Sequence, residues 1–262
     1  HPKSIMSAYN KVNDTYANEN HHLLVDILRK EWGFDGAVVT DWGGSNDHVE
    51  GVKNGSTLEM PSPGLGGARK LLKAVAEGSL TEQEIDLRVD ELLELVLSTT
   101  AAMEKAPRKF DEKAHHELAQ RAAAESIVLL KNEGGILPLK HGKKVALIGD
   151  FALTPRYQGA GSSMVNPTRV DSLKDAMEAA ELEMIGYCAG YERSGKPNKA
   201  YLDEAVSQAK MADVVILCIG LDESSESEGL DRTHICIPAV QKEVLNAVTA
   251  VNPNVVAVVS AG

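Results

Sequence analysis

The chain has 262 residues, of which 43% are apolar and 25% are charged, and its formal net charge is −11. This length and composition predict a globular protein with one large domain or two modest ones. Because nucleic acids and anionic membranes bind basic surfaces, the acidic balance argues against both as partners and favours a small neutral ligand. No apolar run approaches the roughly 18 residues that a membrane span needs.

The first 98 residues alternate strand-like and helix-like patterns, which is typical of parallel β/α units. Asn20 is the candidate N-cap of the first helix, and Thr81 with Glu84 forms the capping box of the last. The third strand is predicted to end at Pro61. The elements predicted in this region are, in chain order, a strand, a helix, two strands and two helices: 4–9, 18–34, 37–40, 56–61, 68–78 and 81–97.

Residues 99–113 lose this periodicity, contain Pro107 and are predicted to form a linker. Beyond them, apolar strands again alternate with helices. The first of these helices has Leu118, Ala122 and Ile127 on one face, and the last has Pro238 in its first turn. Helices are predicted at 114–132, 170–181, 200–212 and 238–251, and strands at 143–152, 183–190, 213–220 and 254–262.

Cysteine and histidine usage bears on compartment and metal binding. Cys188, Cys218 and Cys236 are odd in number, scattered and without zinc spacing, which predicts a reducing, cytoplasmic location. Cys218 lies in an apolar run and is predicted to be buried. The histidine pairs at 21–22 and 115–116 are not predicted ligands, because adjacent residues on a helix point in different directions. The sequence therefore predicts no metal ion and no cofactor.

An acid ends a buried strand in the stretch "GFDGAVVTDWGG". In parallel β/α barrels, a polar residue at the carboxyl end of a strand indicates catalysis, and Asp41 holds that place. Trp42 offers a flat apolar face of the kind that stacks on a sugar ring, and the two glycines after it leave space for a ligand. The alternative is that Asp41 caps the next helix or turn. Position alone leaves both interpretations open.

A second acidic segment follows the strand at 213–220. It is either a solvated loop or a functional one in which crowded like charges raise some pKa values, as a general acid requires. Two carboxylates in different environments serve glycoside hydrolysis. The segment, "LDESSESEGLDRTHICIP", places five carboxylates within ten residues: Asp222, Glu223, Glu226, Glu228 and Asp231.

Several of these stretches resemble one known family. "SIMSAYNKVNDTYANEN", "ILRKEWGFDGAVVTDWG" and "NGSTLEMP" closely resemble the barrel domain of glycoside hydrolase family 3, and "SIVLLKNEGGILPL" and "YQGAGSS" resemble parts of its α/β sandwich domain. The resemblance implies an α/β protein: the C-terminal part of a (β/α)8 TIM-type barrel over 1–98, a linker over 99–113, and the N-terminal part of a mostly parallel sandwich over 114–262. It also implies that the chain is an internal fragment.

The resemblance further implies a β-glucosidase that removes terminal non-reducing β-D-glucosyl residues with retention. Asp41 would be the nucleophile, with Tyr9 and Trp42 as substrate-binding residues; without the resemblance, Tyr9 would be interpreted as a half-buried aromatic. "ESEGLDRTHICIPAVQ" resembles the segment with the acid/base, which maps best onto Glu228 and otherwise onto Glu226. The two carboxyl groups of a retaining site are expected about 5–5.5 Å apart.

The chain also departs from the family pattern. Many members have Gly where this chain has Asp14 and Asp where it has Thr57, so the loops there, including that around Glu59, are expected to differ. Members have barrel strands with sugar-binding groups before "SIMSAYN", and none precedes His1 here. The isolated chain is therefore expected to expose strand edges, to aggregate or form oligomers through them, and to show little or no activity.

Two other functions stay open. One is a non-catalytic fragment of such an enzyme. The other is a nucleotide-binding α/β module, since "GDFALTPRYQGAGSS" follows a strand, although its glycines fit neither G-x-G-x-x-G nor GK[ST]. The predicted partner is a β-glucoside or oligosaccharide, with no nucleic acid and no membrane. Linkage preference stays open, because β-xyloside and N-acetyl-glucosaminide activities occur on the same scaffold.

Overall fold

The computed structural model describes residues 2–106, 109–180 and 182–262, and the chain folds as two units, His1–Glu125 and Ser126–Gly262. Pro107, in the predicted linker, lies outside the described residues. The α/β class with parallel strands is confirmed in both units. The predicted domain boundaries at residues 98 and 114 stay predictions.

In the first unit, β1 (Ser4–Met6) and β4 (Ala37–Val39) form a parallel pair, and Asp41 lies two residues after the end of β4. A short antiparallel hairpin, β2 (Lys11–Val12) and β3 (Thr15–Tyr16), lies between them in the chain. A π-helix, His22–Glu31, follows the hairpin. As predicted, Asn20 caps its start: the Asn20 side-chain oxygen accepts a hydrogen bond from Leu23 N at 3.2 Å.

Four α-helices complete the first unit: α1 (His48–Lys53), α2 (Gly64–Ala76), α3 (Glu82–Lys105) and α4 (Glu112–Ser126). The predicted capping box of Thr81 and Glu84 is confirmed at the start of α3. A small apolar core lies between the π-helix and the strand pair. Its buried members are Leu24, Leu28, Phe34 and Val38, with Ile5 packed against them.

Three predicted elements of this region are wrong in part. The strand at 56–61 is reduced to one parallel bridge between Leu58 and Val39, because the chain turns away after two residues. The helical pattern does not stop at residue 99, since α3 continues to Lys105. The helix predicted over 114–132 ends at Ser126, so Ile127 lies beyond it with 78% of its surface exposed.

The turn of the hairpin explains one departure from the family pattern. Asn13 and Asp14 both have positive φ, +49° and +65°. A two-residue turn of this kind joins twisted strands well and favours Asn followed by Gly, because glycine has no Cβ to clash at positive φ. The structure therefore shows why glycine suits position 14, and Asp14 adopts a conformation that aspartate tolerates but does not prefer.

The second unit contains the four predicted strands, β5 (Lys144–Ile148), β6 (Glu183–Cys188), β7 (Val214–Gly220) and β8 (Val255–Ser260). They form one parallel sheet in the order β6-β5-β7-β8. Every residue of β7 is buried, as expected for a central strand covered on both faces. Three helices accompany the sheet: α5 (Leu173–Ala179), α6 (Lys199–Met211) and α7 (Ala239–Val251).

Burial of Cys218 is confirmed, and that of Cys188 accompanies it. Burial raises the pKa of both thiols to about 12. These two side chains therefore behave as small apolar groups of the core, while Cys236 is exposed. Across the ranges given above, no helix has the length and apolar character to cross a membrane.

Candidate active site

The loop after β4, residues 41–47, is called the Asp41 loop below. Its start is braced by the main chain of Met60. The buried Thr40 hydroxyl accepts a hydrogen bond from Met60 N at 2.8 Å and donates one to Met60 O at 3.3 Å. Gly43 N also donates to Met60 O, at 3.1 Å. The strand end that presents Asp41 is therefore tied to the neighbouring segment by three hydrogen bonds.

Asp41 itself forms a tight turn. Its Oδ1 accepts a hydrogen bond from Trp42 N at 2.6 Å, and its carbonyl accepts one from Gly44 N at 3.0 Å. The capping alternative is wrong for the next helix, because Asp47 caps α1 by accepting bonds from Val49 N and Glu50 N. Within the described residues, Oδ2 of Asp41 accepts no hydrogen bond, which leaves one carboxylate oxygen available to a ligand.

The predicted substrate-binding residues are Trp42, which follows Asp41 in the sequence, and Tyr9, whose backbone lies near the Asp41 loop. Trp42 is the adjacent residue and is 63% exposed, so its ring faces solvent. Tyr9 follows β1 and is 58% exposed, so part of its side chain is open to solvent. The backbone of Tyr9 approaches the Asp41 loop closely: a Cβ added to Gly44 would lie 3.2 Å from Tyr9 Cα. Gly44 thus permits the two strand ends to meet.

The far end of the Asp41 loop is held by a residue that the sequence did not indicate. The carboxylate of Glu19 accepts hydrogen bonds from the consecutive main-chain amides of Asn46, at 2.7 Å, and Asp47. Glu19 is only 9% exposed and lies between the buried Asn18 and Asn20. Three polar residues ahead of a helix are typical of a cap, so the pattern gave no sign that the middle one serves another loop.

Thr57 occupies a position where many family members have Asp. Its hydroxyl accepts a hydrogen bond from Val38 N at 3.0 Å and donates one to Glu91. Glu91 also pairs with Arg29 at 2.8 Å and Arg88 at 2.9 Å. Burial lowers the pKa of Arg88, and the carboxylate of Glu91 opposes that shift. Thr57 therefore links the strand before Asp41 to a buried cluster with two cations and one anion.

A second pair lies close to the same segment. Nδ1 of His48, in the first turn of α1, is 2.7 Å from Oε2 of Glu59, and both side chains are largely shielded from solvent. Glu59 directly precedes Met60, so this contact ties α1 to the segment that braces the start of the Asp41 loop. The loop around Glu59 is thereby ordered despite the departure at Thr57.

In the second unit, the acidic segment separates its two candidate acids clearly. Glu226 is nearly buried and receives two guanidinium groups, from Arg156 at 2.5 Å and Arg232 at 3.0 Å. Arg156 also donates to the carbonyls of Leu221 and Glu226. This arrangement makes Glu226 the anchor of the loop, with both of its carboxylate oxygens engaged.

Glu228 is placed differently. It lies at the surface, and its Oε2 accepts one hydrogen bond from Ser162 N at 2.7 Å. Ser162 belongs to the "YQGAGSS" loop, and Gly161 in the same loop has φ +96°. A Cβ on Gly161 would lie 2.6 Å from Cβ of Glu228, so glycine permits the close approach of the two segments.

The predicted rise in carboxyl pKa values is wrong for Glu228 and Asp222. Hydrogen bonds from Ser162 lower the pKa of Glu228 below its ordinary value. At Asp222, burial raises the pKa, but the hydroxyls of Ser225 and Ser224 outweigh it and the net shift is downward. Local hydrogen-bond donors therefore have a larger effect than the repulsion between neighbouring acids, which the sequence alone could not weigh.

The nucleotide-binding alternative finds little support in the loop after β5. Gly149 is followed by a single 3-10 turn, Asp150–Ala152, rather than by a helix that could receive a phosphate. The Asp150 carboxylate pairs with Arg193 there. A phosphate would meet an anion at this position.

Two family models match the parts of the chain that carry the Asp41 loop and the acidic segment. Residues 2–95 match the family model described as glycosyl hydrolase family 3 N terminal domain, and residues 127–262 match the one described as glycosyl hydrolase family 3 C-terminal domain. Asp41 falls within the first match and Glu228 within the second.

Relatives and solved structures extend over the whole chain. Thermostable beta-glucosidase B of Acetivibrio thermocellus is 41% identical over 100% of this chain and 35% of its own length. An exo-alpha-(1->6)-L-arabinopyranosidase of Bifidobacterium longum is 42% identical with the same coverage. The crystal structure of a GH3 beta-glucosidase from Bifidobacterium adolescentis superposes with a TM-score of 0.90 at 41% identity, over 98% of this chain and 38% of that one.

The chain thus spans about a third of the length of the curated relatives that it matches. Both units have the predicted α/β class, both motif-bearing loops follow strands, and the two family models together cover most of the sequence. On these grounds the chain belongs to glycosyl hydrolase family 3.

Proposed function

We propose that the protein hydrolyses terminal non-reducing β-D-glucosyl residues by a retaining double displacement. Support comes above all from the Asp41 carboxylate, which stands at the carboxyl end of a buried parallel strand, on a braced loop, with one oxygen unengaged. The family relationship supports the substrate class, since relatives at 41% and 33% identity are named β-glucosidases.

Asp41 attacks the anomeric carbon and forms a glycosyl–enzyme ester while the glycosidic bond breaks. The departing oxygen takes a proton from Glu228, which then removes a proton from water as the water attacks the same carbon. The ester bond breaks, glucose leaves with its original anomeric configuration, and Asp41 and Glu228 regain their starting states. Trp42 and Tyr9 contact the sugar.

Glu228 is preferred to Glu226 as the acid/base for a physical reason. Arg156 and Arg232 occupy the two carboxylate oxygens of Glu226, which leaves neither oxygen available to a substrate. Glu228 is exposed, and its carboxylate is held by Ser162, a contact that it can exchange for the glycosidic oxygen. Because the side chain and the amide of Ser162 lower the pKa of Glu228, we place the acid function in a bound state where the substrate replaces Ser162.

The proposal includes a reducing, cytoplasmic location, which the two buried, unpaired thiols of Cys188 and Cys218 support. It also keeps the domain division at 1–98, 99–113 and 114–262. The partner is a β-glucoside or oligosaccharide.

A second candidate substrate is an α-L-arabinopyranoside, because a relative at 42% identity is named an exo-α-(1→6)-L-arabinopyranosidase. In its usual chair this sugar has an equatorial glycosidic bond, as a β-D-glucoside has, so the same two carboxylates would serve both. The sugars differ at carbon 4 and in the hydroxymethyl group. Comparing the two nitrophenyl glycosides decides between them.

The test uses this chain and a chimera in which it replaces the matching segment of the Bifidobacterium adolescentis enzyme, since the chain spans 38% of that protein. A 2-deoxy-2-fluoro glucoside should label Asp41, as read by peptide mass analysis. Asp41→Gly should lower turnover on the order of 10⁴-fold or more, and azide should restore part of it by attacking from the vacated face to give the inverted α-glucosyl azide. Labelling at another residue would contradict the nucleophile assignment. A folded chimera with neither labelling nor turnover would favour the non-catalytic alternative.

A further inference from the structure

A charged side chain is buried in the first unit without a cationic partner. Glu19 is 9% exposed, and no Lys, Arg or His among the described residues pairs with it. A buried carboxylate is costly unless hydrogen bonds compensate it. Here Oε1 receives two consecutive amides, those of Asn46 at 2.7 Å and Asp47. The Oε1 atom of Glu19 thus binds the end of the Asp41 loop.

The Asp41 loop has only a few fixed points in the described part of the chain. Met60 holds its beginning through Thr40 and Gly43, and Glu19 holds its end. Between them lie Gly43, at φ +70°, and Gly44, which restrict the backbone little. Without the bonds to Glu19, the end of the Asp41 loop that precedes α1 would lose its hydrogen bonds to the residues before the π-helix.

Glu19 is itself held from both sides. The carbonyl of Asn18 accepts a bond from Ser56 Oγ at 2.6 Å, and the side chain of Asn18 accepts one from Ser7, at the end of β1. Asn20 donates to Val12 O in the hairpin at 3.3 Å. The Glu19 carbonyl accepts a bond from Asn54 Nδ2 at 2.9 Å. The carboxylate therefore rests on a buried polar segment that joins β1, the hairpin and α1.

We propose that Glu19 is a positioning residue that fixes the Asp41 loop, and with it the nucleophile, in the reactive orientation. This inference rests on the proposed function, in which Asp41 attacks the sugar. Glu19 touches neither substrate nor Asp41; it acts through the amides of Asn46 and Asp47. Misplacement of a reacting group by about 1 Å costs on the order of a hundredfold in rate.

The test measures the labelling of Asp41 by a 2-deoxy-2-fluoro glucoside in the chimera described above. Glu19→Gln should lower the maximal labelling rate about ten- to a hundredfold while the concentration at half-maximal rate stays within about twofold. Glu50→Gln is the matched control, since Glu50 is an exposed carboxylate in the first turn of α1, and it should leave both values unchanged. Partial unfolding would instead reduce the fraction of protein labelled.

A second measurement needs no variant. In the wild-type 262-residue chain, the amides of Asn46 and Asp47 should exchange with solvent far more slowly than expected for a surface loop. Fast exchange at both amides would overturn the inference, as would a Glu19→Gln protein that labels at the wild-type rate. If the wild-type chimera is folded but not labelled at Asp41, the proposed function fails and this inference fails with it; if only Glu19→Gln lacks an effect, the proposed function stands.

Discussion

The Asp41 loop and the acidic segment at 221–238 both follow a buried parallel strand, yet they hold their carboxylates in different ways. The Asp41 loop is held by hydrogen bonds that involve main-chain groups: the main chain of Met60 binds its start, and the Glu19 carboxylate binds main-chain amides at its end. Ion pairs fix the acidic segment, where two arginines converge on Glu226, while the carboxylate of Glu228 is held by Ser162 alone among the described residues. The difference suits a nucleophile that must stay in place and an acid that must change partners during each reaction.

The largest expected effect concerns the proposed role of Glu228 as the proton donor. In the chimera, Glu228→Gln should slow substrates with poor leaving groups by about 10²- to 10⁴-fold and activated aryl glucosides far less, since only the former need a proton. Steady-state kinetics on alkyl and dinitrophenyl glucosides would measure it. Glu223→Gln is a control in the same loop. Equal losses for both substrate types would assign the acid elsewhere, with Glu226 as the first candidate.

The second prediction separates Glu226 from Glu228 by stability. Glu226→Gln should lower the free energy of unfolding by about 3 kcal/mol, because Arg156 would be left nearly buried without its counter-charge. Urea denaturation of the second unit would measure the loss. Glu228→Gln, at an exposed position, should leave the urea midpoint almost unchanged. Similar values for the two variants would mean that the two carboxylates are not held differently.

A smaller effect is expected at the hairpin between Tyr9 and Glu19. Asp14→Gly should raise the free energy of unfolding by about 0.5–1 kcal/mol, because φ is +65° there and glycine adopts this conformation without a steric cost. Thermal denaturation of the two proteins gives the comparison. Asp35→Gly, at an exposed residue with no positive φ, should not stabilise. A loss of stability in Asp14→Gly would show that the aspartate contributes more than its backbone strain costs.

The smallest effect concerns pH. Hydrogen bonds from the side chain and the main-chain amide of Ser162 hold the pKa of Glu228 below its ordinary value of 4.5. Since the pKa is lower in the folded state, these bonds contribute stability above pH 4.5 and lose that contribution as pH falls through the folded-state value. The ¹³C carboxyl signal of Glu228 should titrate below 4.5, and the Ser162 amide should shift with the same midpoint. A midpoint above 4.5 in the unliganded chain would contradict the contact.

The central strands of the second unit could be predicted well because β5 and β7 are apolar runs that are buried along almost their whole length, and such runs have few other interpretations. Caps were predicted where the chemistry is local: Asn20 bonds Leu23, and Thr81 bonds Glu84. The hairpin was missed because its strands have two residues each and its turn lacks the usual glycine.

The candidate site was predictable in part. Asp41 could be named as a candidate from its place after a strand, while family resemblance was needed to prefer catalysis over capping and to propose Glu228. The anchoring of Glu226 could not be predicted, because Arg156 lies 70 residues away and nothing near it marks the contact. Glu19 was missed for the same reason: its partners are 27 and 28 residues further along the chain.

The order of the four-stranded sheet also has a kinetic consequence. Its two central strands, β5 and β7, are neighbours in space, yet they meet across 69 residues of chain, where Lys144 N at the start of β5 donates to the side chain of Asp213, the residue before β7. A loop of that length must close before the central pair can form, and folding slows as such distant contacts dominate. The segment with Glu226 and Glu228 begins where β7 ends, so it can reach its final form only after this slow pairing. During synthesis, the Asp41 loop, with all its anchors inside the first 60 residues, can be complete well before the acid it is proposed to work with.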